Sequence, residues 1–176
     1  HAMAEQFAAF DNCYADGDVS KDGHSWANAA YATDQNEKSW PTEYGGHSQS
    51  TWRSMAYMPS GGYLWDAAKR KGLTYRSYGE YATRASTGEP MMNISGANGL
   101  VGHVSPNYLQ NRVRDTENAK VFLQEFSEYE KNFDSHDPEK RLPNYIVMSM
   151  QENHTHGTDP KSFSPRAMVA NQDVAL

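Results

Sequence analysis

An almost uninterrupted run of apolar residues near the carboxyl end places the strongest limit on how this chain can fold. Residues 145–150 read YIVMSM and follow shortly after Pro143. A short apolar run of this kind is typical of a strand that is covered on both faces, as in a parallel sheet. Parallel strands need a crossover connection, which is usually a helix. The run therefore predicts an α/β fold.

A second strand is predicted in the middle of the chain, directly after a helix. Residues 63–71 predict the helix, Gly72 suits the left-handed position that follows a last helical turn, and residues 73–78 (LTYRSY) predict the strand. A helix, a glycine and a strand in this order form one step of an α/β layer.

The longest helix is predicted at residues 115–133, with Asp115 as its N-cap. We expect its apolar stripe to pack against the sheet. The stripe consists of four aromatic residues with helical spacing: Phe122, Phe126, Tyr129 and Phe133. Ser164 followed by Pro165 predicts the start of a last helix, with serine as N-cap and proline in the first turn.

The other segments divide into short elements and long polar loops. Residues 24–33 predict a short helix, and residues 7–14 predict a helix end running into a strand. Residues 38–59 and 83–106 predict loops, because prolines, glycines and polar residues punctuate them without a helical or strand period.

Charge and cysteine content exclude several classes of protein. The chain has 176 residues, with 22 acidic and 16 basic side chains and a net charge of −6. This acidic balance, without a run of lysine and arginine, argues against nucleic-acid binding. No apolar stretch approaches the roughly 20 residues of a membrane span. The single cysteine, Cys13, excludes an internal disulfide framework and a cysteine-rich zinc site, and we expect it to be a small buried side chain.

The first candidate site is the segment 16–24, DGDVSKDGH, between a strand-like stretch and a helix start. At a helix start, free backbone N–H groups and the helix dipole favour a phosphate or the alkoxide of a nucleophile, here Ser20. His24, four residues on, could contact a phosphoryl oxygen. On local sequence alone the segment is more often an acidic turn with an N-capping serine.

The second candidate site is the segment 151–158, QENHTHGT, just past the buried strand predicted at 145–150. Ligands of open α/β sheets bind at the carboxyl ends of strands. Imidazole, amide and carboxylate groups are reasonable ligands for a divalent metal. A polar loop that ends at Gly157 explains the segment equally well.

Several stretches together carry a family resemblance. They are residues 11–46 (DNCYADGDVSKDGHSWANAAYATDQNEKSWPTEYGG), 62–68 (GYLWDAA), 72–80 (GLTYRSYGE), 152–158 (ENHTHGT) and 164–173 (SPRAMVANQD). In this order they resemble the bacterial phosphoesterase family of the alkaline phosphatase superfamily, which also contains phospholipase C-like and acid phosphatase-like members.

The resemblance implies an α/β fold with an alkaline phosphatase-like sheet flanked by helices. Residues 1–3 (HAM) are expected to be a cloning remnant, because a methionine at position 3 is unusual for a mature start. The resemblance implies that residues 4–176 are the central part of one phosphoesterase domain. The family's Glu-Asn-Arg-type strand end and its closing acidic Asp-Asp and Asp-His motifs are not in this sequence. We therefore expect the sheet to be incomplete at both ends.

The resemblance also assigns roles to individual residues. Ser20 falls at the metal-bound nucleophile, and Asp22 and His24 fall where relatives contact phosphate. His154 matches a histidine that relatives bring to the metal or the phosphate, and Asn153 stands where many relatives carry aspartate. Ser20, Asn153 and His154 are thus the implied ligands of a divalent metal, either zinc, manganese or calcium.

Two functional hypotheses follow from these assignments. The first is the central part of a metal-dependent phosphoesterase, in which Ser20 attacks a phosphate ester and forms phosphoserine. We expect Ser20 and His154 to lie within about 12 Å of each other, so that they share one phosphate or its metal. With so few metal ligands, we expect this chain alone to show little or no turnover.

The second hypothesis is a binding or structural module that keeps the fold without the chemistry and associates with itself through open sheet edges. A periplasmic or secreted location is expected from the resemblance alone.

Overall fold

A computed structural model describes residues 2–43, 55–84, 90–92, 97–109 and 113–176, and the structural statements below concern these residues. They form a mixture of helices and short strands, which confirms the α/β class in its broad sense. The elements are α1 (Ala2–Gln6), α2 (Ser20–Ala29), α3 (Asp34–Glu43), α4 (Leu64–Arg70), β1 (Tyr75–Tyr78), β2 (Ala82–Arg84), β3 (Pro90–Met92), α5 (Asp115–Lys131), β4 (Tyr145–Met148) and α6 (Pro165–Ala175).

The two strands predicted from the sequence pair with each other in parallel. The register joins Tyr75 to Tyr145 and Tyr78 to Met148, so β1 and β4 run side by side along their whole length. On its other side β1 meets residues 103–105 through the backbone of Ser77. Strands β2 and β3 form a separate antiparallel pair.

The expectation that residues 145–150 are buried on both faces is wrong. Strand β4 ends at Met148, and all four of its residues are partly exposed, whereas three of the four residues of β1 are buried. The difference follows from their neighbours, since β1 has backbone partners on both sides and β4 pairs only with β1 among the described residues.

The step from α4 into β1 follows the sequence prediction closely. Gly72 has a left-handed backbone with φ of 67°, which lets the chain leave α4 and enter β1 within a few residues. The main core lies between α4, the start of β1 and the 3-10 turn Ala97–Leu100. It is a buried cluster of five side chains: Tyr63, Trp65, Ala68, Tyr75 and Leu100.

Helix α5 packs its apolar stripe against β1, but not along the whole predicted length. The ring of Phe122 meets that of Tyr78 edge-on, with centroids 5.2 Å apart. Phe133 is 82% exposed because the helix ends at Lys131 and the stripe ends with it. Asp115 is the first helical residue, and the N-cap is Arg114, so the predicted N-cap is one residue out of place.

The beginning of α6 agrees with the prediction in detail. Ser164 is the N-cap, its hydroxyl accepts a hydrogen bond from the backbone N–H of Ala167, and Pro165 occupies the first helical position. The side chain of Asn171 on α6 bonds Thr116 at the start of α5, which ties the two helices together.

Three local predictions near the amino terminus are wrong. Helix α2 begins at Ser20 and ends at Ala29, not over residues 24–33. Residues 7–14 form neither helix nor strand, and Cys13 is exposed. This segment has no packing partner that would bury the cysteine among the described residues.

Part of the loop predicted at residues 38–59 is helical, because α3 spans Asp34–Glu43. The hydroxyl of Thr33 caps this helix by accepting the N–H of Asn36, and Pro41 lies inside the helix. Residues 44–54, like residues 85–89 and 93–96 of the second predicted loop, lie outside the described residues. No helix in the described part of the chain is long and apolar enough to cross a membrane.

Candidate functional site

The first candidate segment forms the loop before α2 and the first turns of that helix. Val19 has an extended backbone and acts as the N-cap, so Ser20 is the first helical residue rather than the cap. Ser20 is exposed. The first N–H groups of a helix have no partner within the helix, and its dipole favours an anion there by about 0.3–1 kcal/mol. The serine hydroxyl therefore stands at a place suited to an anionic group.

Asp22 organises the backbone of this loop from inside. The side chain is fully buried, and its two oxygens accept the backbone N–H groups of Asp18 at 2.7 Å, Val19 at 2.9 Å and Gly23 at 3.0 Å. The loop closes so tightly that a Cβ on Gly17 would lie 2.6 Å from the backbone nitrogen of Gly23. Asp22 thus fixes the position of Ser20, and its oxygens already have backbone partners.

His24 lies one helical turn after Ser20, on the same face of α2. Its Nδ1 is 2.7 Å from Oε1 of Glu80, which is 5% exposed. The hydrogen bond to Glu80, supported by the charge of that carboxylate, holds the pKa of His24 above 6.5, although burial acts in the opposite direction. The His24 side chain remains 40% exposed. The structure therefore presents an imidazole whose inner nitrogen is engaged and whose outer side faces solvent.

Glu80 itself is held by several contacts. Asn28, buried one turn after His24, donates from Nδ2 to the same Oε1 at 2.8 Å and to the carbonyl of His24 at 2.9 Å. The hydroxyl of Ser77 on β1 donates to the carbonyl of Glu80 at 2.7 Å. The residues on either side of Glu80 have left-handed backbones, with φ of 85° at Gly79 and 52° at Tyr81.

The left-handed conformation of Tyr81 is unfavourable for a bulky residue and marks a turn held by its surroundings. Its ring packs at 5.1 Å from Tyr63 and at 5.4 Å from Trp65, and it approaches His24 edge-on at 6.3 Å. Burial raises the pKa of Tyr63 to about 12 and raises that of Tyr81 as well, so both rings are neutral at physiological pH. These aromatic side chains form an apolar cluster next to the His24–Glu80 pair.

Glu80 and Asn28 were not assigned a role from the sequence. Glu80 lies two residues past the end of β1, a position where ligands of α/β sheets are often bound, and this position was the one available signal. Asn28 carried no signal, because only the fold shows that it faces a buried glutamate.

The second candidate segment contains the 3-10 turn Glu152–His154, which begins four residues after the end of β4. Asn153 and His154 are exposed, whereas Glu152 is 7% exposed. The oxygens of Glu152 accept the N–H of Asp115 at 2.8 Å and the Nε of Arg114.

The contact between this turn and α5 is reciprocal. The Asp115 carboxylate accepts the backbone N–H groups of Glu152 at 3.0 Å and Gln151 at 3.3 Å. Burial raises the pKa of Asp115, while these two backbone bonds act against that rise. The contact holds the turn against the start of α5, whereas Asn153 and His154 on the same turn are exposed.

Glu80 follows the carboxyl end of β1, and the second segment follows that of β4. The first segment reaches this edge of the sheet through the contact of His24 with Glu80. Ser20, Asp22 and His24 lie together at the start of α2. No hydrogen bond, ion pair or ring contact of the described residues joins them to Asn153 or His154. The expected separation of about 12 Å or less between Ser20 and His154 stays a prediction.

A group of carboxylates lies beside the start of α2. The oxygens of Asp18, Asp22 and Glu37 are within 4.8 Å of one another. Oε1 of Glu37 is buried and has no hydrogen-bond partner among the described residues. Carboxylate oxygens are the ligands that hard divalent cations take. With Asp22 occupied by backbone N–H groups, Asp18 and Glu37 are the two members whose oxygens fit a cation.

Comparison with models of known protein families, with curated proteins and with solved structures finds no match. What this site can do is therefore argued from its own residues.

Proposed function

We propose that this chain carries the nucleophile segment of a metal-dependent phosphoesterase, with Ser20 as the nucleophile. The observation that supports the proposal best is the pairing of an exposed serine at the start of α2 with an imidazole one turn later, backed by buried Glu80. An exposed hydroxyl at a helix N-terminus and an imidazolium donor one turn later together suit a tetrahedral anion. The finer assignment of the sheet to the alkaline phosphatase-like fold is part of the same proposal.

Each residue of the segment has a separate task in the reaction. The Ser20 oxygen forms a bond to phosphorus as the P–O bond to the alcohol breaks, and the serine proton leaves with the alcohol. Water then breaks the Oγ–P bond of the phosphoserine, which releases phosphate and restores the serine hydroxyl. His24, as the imidazolium, donates from Nε2 to a phosphoryl oxygen. Asp22 contributes by closing the loop through the backbone N–H groups of Asp18 and Val19, which fixes the start of the helix that carries Ser20.

A divalent cation belongs to this proposal because the family resemblance implies zinc, manganese or calcium. Asp18 and Glu37 would hold it beside the start of α2, and Asn153 and His154 stay predicted ligands together with Ser20. When bound, such an ion neutralises phosphoryl charge and favours the alkoxide of a nucleophile. A periplasmic or secreted location stays an expectation.

The proposal is tested by locating where a phosphate ester binds. The 15N-labelled chain is titrated with phenyl phosphate, and the amide signals of residues 18–24 are followed by NMR. We expect saturable shifts centred on the first turn of α2, weaker binding in His24→Gln, and weaker shifts with phenyl sulfonate, which carries less charge. Shifts that are absent, or that are centred on another surface, would contradict the proposal.

Turnover is a separate measurement with its own expectation. With zinc, manganese or calcium added, we expect little or no hydrolysis of 4-nitrophenyl phosphate by this chain alone. Robust turnover that Ser20→Ala abolishes would contradict this expectation about turnover and would support the carboxylates of Asp18 and Glu37 as metal ligands.

A non-catalytic, self-assembling module is the second candidate function, and the exposure of β4 favours it. The apolar residues of this strand are partly exposed, and the strand pairs on one side only among the described residues. An unpaired strand edge is a template for association with another chain. Sedimentation over a range of concentrations tests this function, and a monomer throughout would exclude it.

A further inference from the structure

Glu80 lies beneath the imidazole of the proposed phosphoryl site and does not reach its exposed side. We propose that Glu80 is the positioning residue of this site: it holds the Nδ1–H of His24, so that Nε2, which carries a proton in the imidazolium, is aimed outward to donate to a phosphoryl oxygen beside Ser20. The inference deepens the proposed function and rests on it, because it names the group that sets the orientation and charge of His24.

The contacts of the two ring nitrogens carry the argument. Nδ1 is 2.7 Å from Oε1 of Glu80, and a carboxylate can only accept, so Nδ1 is the donor. Nε2 has no hydrogen-bond partner among the described residues and is not a buried orphan, which leaves it on the exposed side of the ring. The bond made by one nitrogen of a histidine decides what the other nitrogen can do.

More contacts hold Glu80 in place than are expected of a chance contact at the surface. Oε1 also accepts the Nδ2 of Asn28, which is 3% exposed, so two side chains of α2 converge on one buried oxygen. The turn that carries Glu80 has a left-handed tyrosine at position 81, an unfavourable conformation that persists only where the surroundings impose it. Ser77 fixes the same turn through the carbonyl of Glu80.

The arrangement also favours the charged form of His24, the form that suits an oxyanion. Among the described residues, the ionisable side chains in contact with the His24 ring are Glu80 and Tyr81. The pKa of Tyr81 is raised, so its ring stays neutral, and the hydrogen bond to Glu80 together with the negative charge of that carboxylate favours the imidazolium. Because Glu80 acts through His24 and does not itself reach the phosphate, it is a positioning residue.

A double-mutant cycle with inorganic phosphate tests this role. The affinity of the wild-type chain is measured by NMR at a fixed neutral pH and compared with Glu80→Gln, His24→Gln and the double variant. We expect Glu80→Gln to weaken phosphate binding about 10-fold. This factor corresponds to the difference in free energy between a charge-assisted and a neutral hydrogen bond. In the His24→Gln background the same change should have no further effect, because Glu80 acts only through His24.

A matched control and a direct spectroscopic measurement separate positioning from a general loss of structure. Glu117→Gln removes an exposed carboxylate on α5, 2.7 Å from Lys120, and should leave phosphate affinity unchanged. In the unmodified chain, long-range 1H–15N spectra should show that phosphate shifts Nε2 of His24 much more than Nδ1. This second measurement needs no variant that could fail to fold.

The outcomes distinguish the inference from the function on which it rests. If phosphate binds at α2 and His24→Gln weakens it while Glu80→Gln does not, Glu80 is not a positioning residue and the proposed function stands. Equal effects of Glu80→Gln with and without His24 would also overturn the inference. If phosphate leaves the signals of Ser20 and His24 unmoved, the inference and the proposed function are both overturned.

Discussion

Two buried glutamates follow the two paired strands of the parallel sheet, and they are used in opposite ways. Glu80, after β1, offers its buried oxygen to two side chains of α2, His24 and Asn28. Glu152, after β4, gives both oxygens to the start of α5, where they bond Arg114 and a backbone N–H. Their burial is nearly equal, with exposed fractions of 5% and 7%.

The difference shows that the partner of a buried carboxylate, rather than its burial, indicates its role. A glutamate whose oxygens bond a backbone N–H and an arginine closes a structural contact, because both oxygens are used within the fold. A glutamate that bonds the inner nitrogen of a histidine leaves the outer nitrogen available to a ligand. At the start of α2 a histidine nitrogen is therefore left for a ligand, whereas the start of α5 is held by a structural contact.

The largest loss of stability is expected from removing the contact between Glu152 and the start of α5. Glu152→Ala leaves the N–H of Asp115 and the Arg114 guanidinium without their partner, and the loss of one member of a largely buried pair should lower the free energy of unfolding by about 3 kcal/mol. Urea denaturation measures this. The control is Glu117→Ala, which breaks an exposed pair with Lys120 and should cost less than about 1 kcal/mol. Equal costs for the two variants would contradict the structural role of Glu152.

A smaller effect is expected from the loop that carries Ser20. Asp22→Ala removes the acceptor of three backbone N–H groups at the start of α2 and should cost about 1–2 kcal/mol, the range of a lost helix cap. The same denaturation experiment measures it, with Asp34→Ala, an exposed residue in the first turn of α3, as the comparison. A cost no larger than that of Asp34→Ala would show that Asp22 does not organise the loop.

A still smaller effect, dependent on pH, is expected from the His24–Glu80 pair. The pKa of His24 is raised in the folded chain, so the stabilisation is fully present below about 6.5 and is lost as pH rises through the folded pKa. His24→Gln should therefore destabilise the chain more at about pH 6 than at about pH 9. The difference should stay below about 1 kcal/mol, because solvent screens a side chain that is 40% exposed.

Glu80→Gln sharpens this measurement, because the pH-dependent difference between the wild-type chain and His24→Gln should disappear in its background. An unchanged pH dependence without the Glu80 carboxylate would assign the raised pKa of His24 to another group.

The smallest effect is expected from His154, two residues from Glu152. His154→Ala removes an exposed side chain without a hydrogen-bond partner of its own among the described residues and should change the free energy of unfolding by less than about 0.5 kcal/mol. A loss of more than about 1 kcal/mol would show that His154 takes part in the contact with α5, and it would contradict the contrast between His154 and Glu152.

The sequence predicted those elements whose pattern is local. The helix 63–71, the strand after Gly72 and the Ser164–Pro165 start were confirmed because period, turn glycine and capping chemistry act within a few residues. The burial of β4 was predicted wrongly because it depends on which strands lie beside it, and an apolar run does not contain that information. Helix α3 was missed because Pro41 was taken as a sign of a loop.

The candidate site was predictable only in part, for the same reason. Ser20, Asp22 and His24 are close in sequence and share one helix start, so a single motif brought them together. Glu80 lies 56 positions from His24, and its contact exists only after β1 and α2 have packed. Whether His154 joins them depends on a loop whose path no local pattern determines.

The most direct test of the central claim, that the start of α2 binds a phosphoryl group, is a crystal structure of the chain with orthovanadate and manganese. Vanadate takes the geometry of a phosphoryl group under attack and can bond a serine oxygen. The account predicts vanadium bonded to Oγ of Ser20, with Nε2 of His24 within about 3 Å of a vanadate oxygen and Nδ1 still on Glu80. Vanadate bound elsewhere, with Ser20 and His24 untouched, would contradict it.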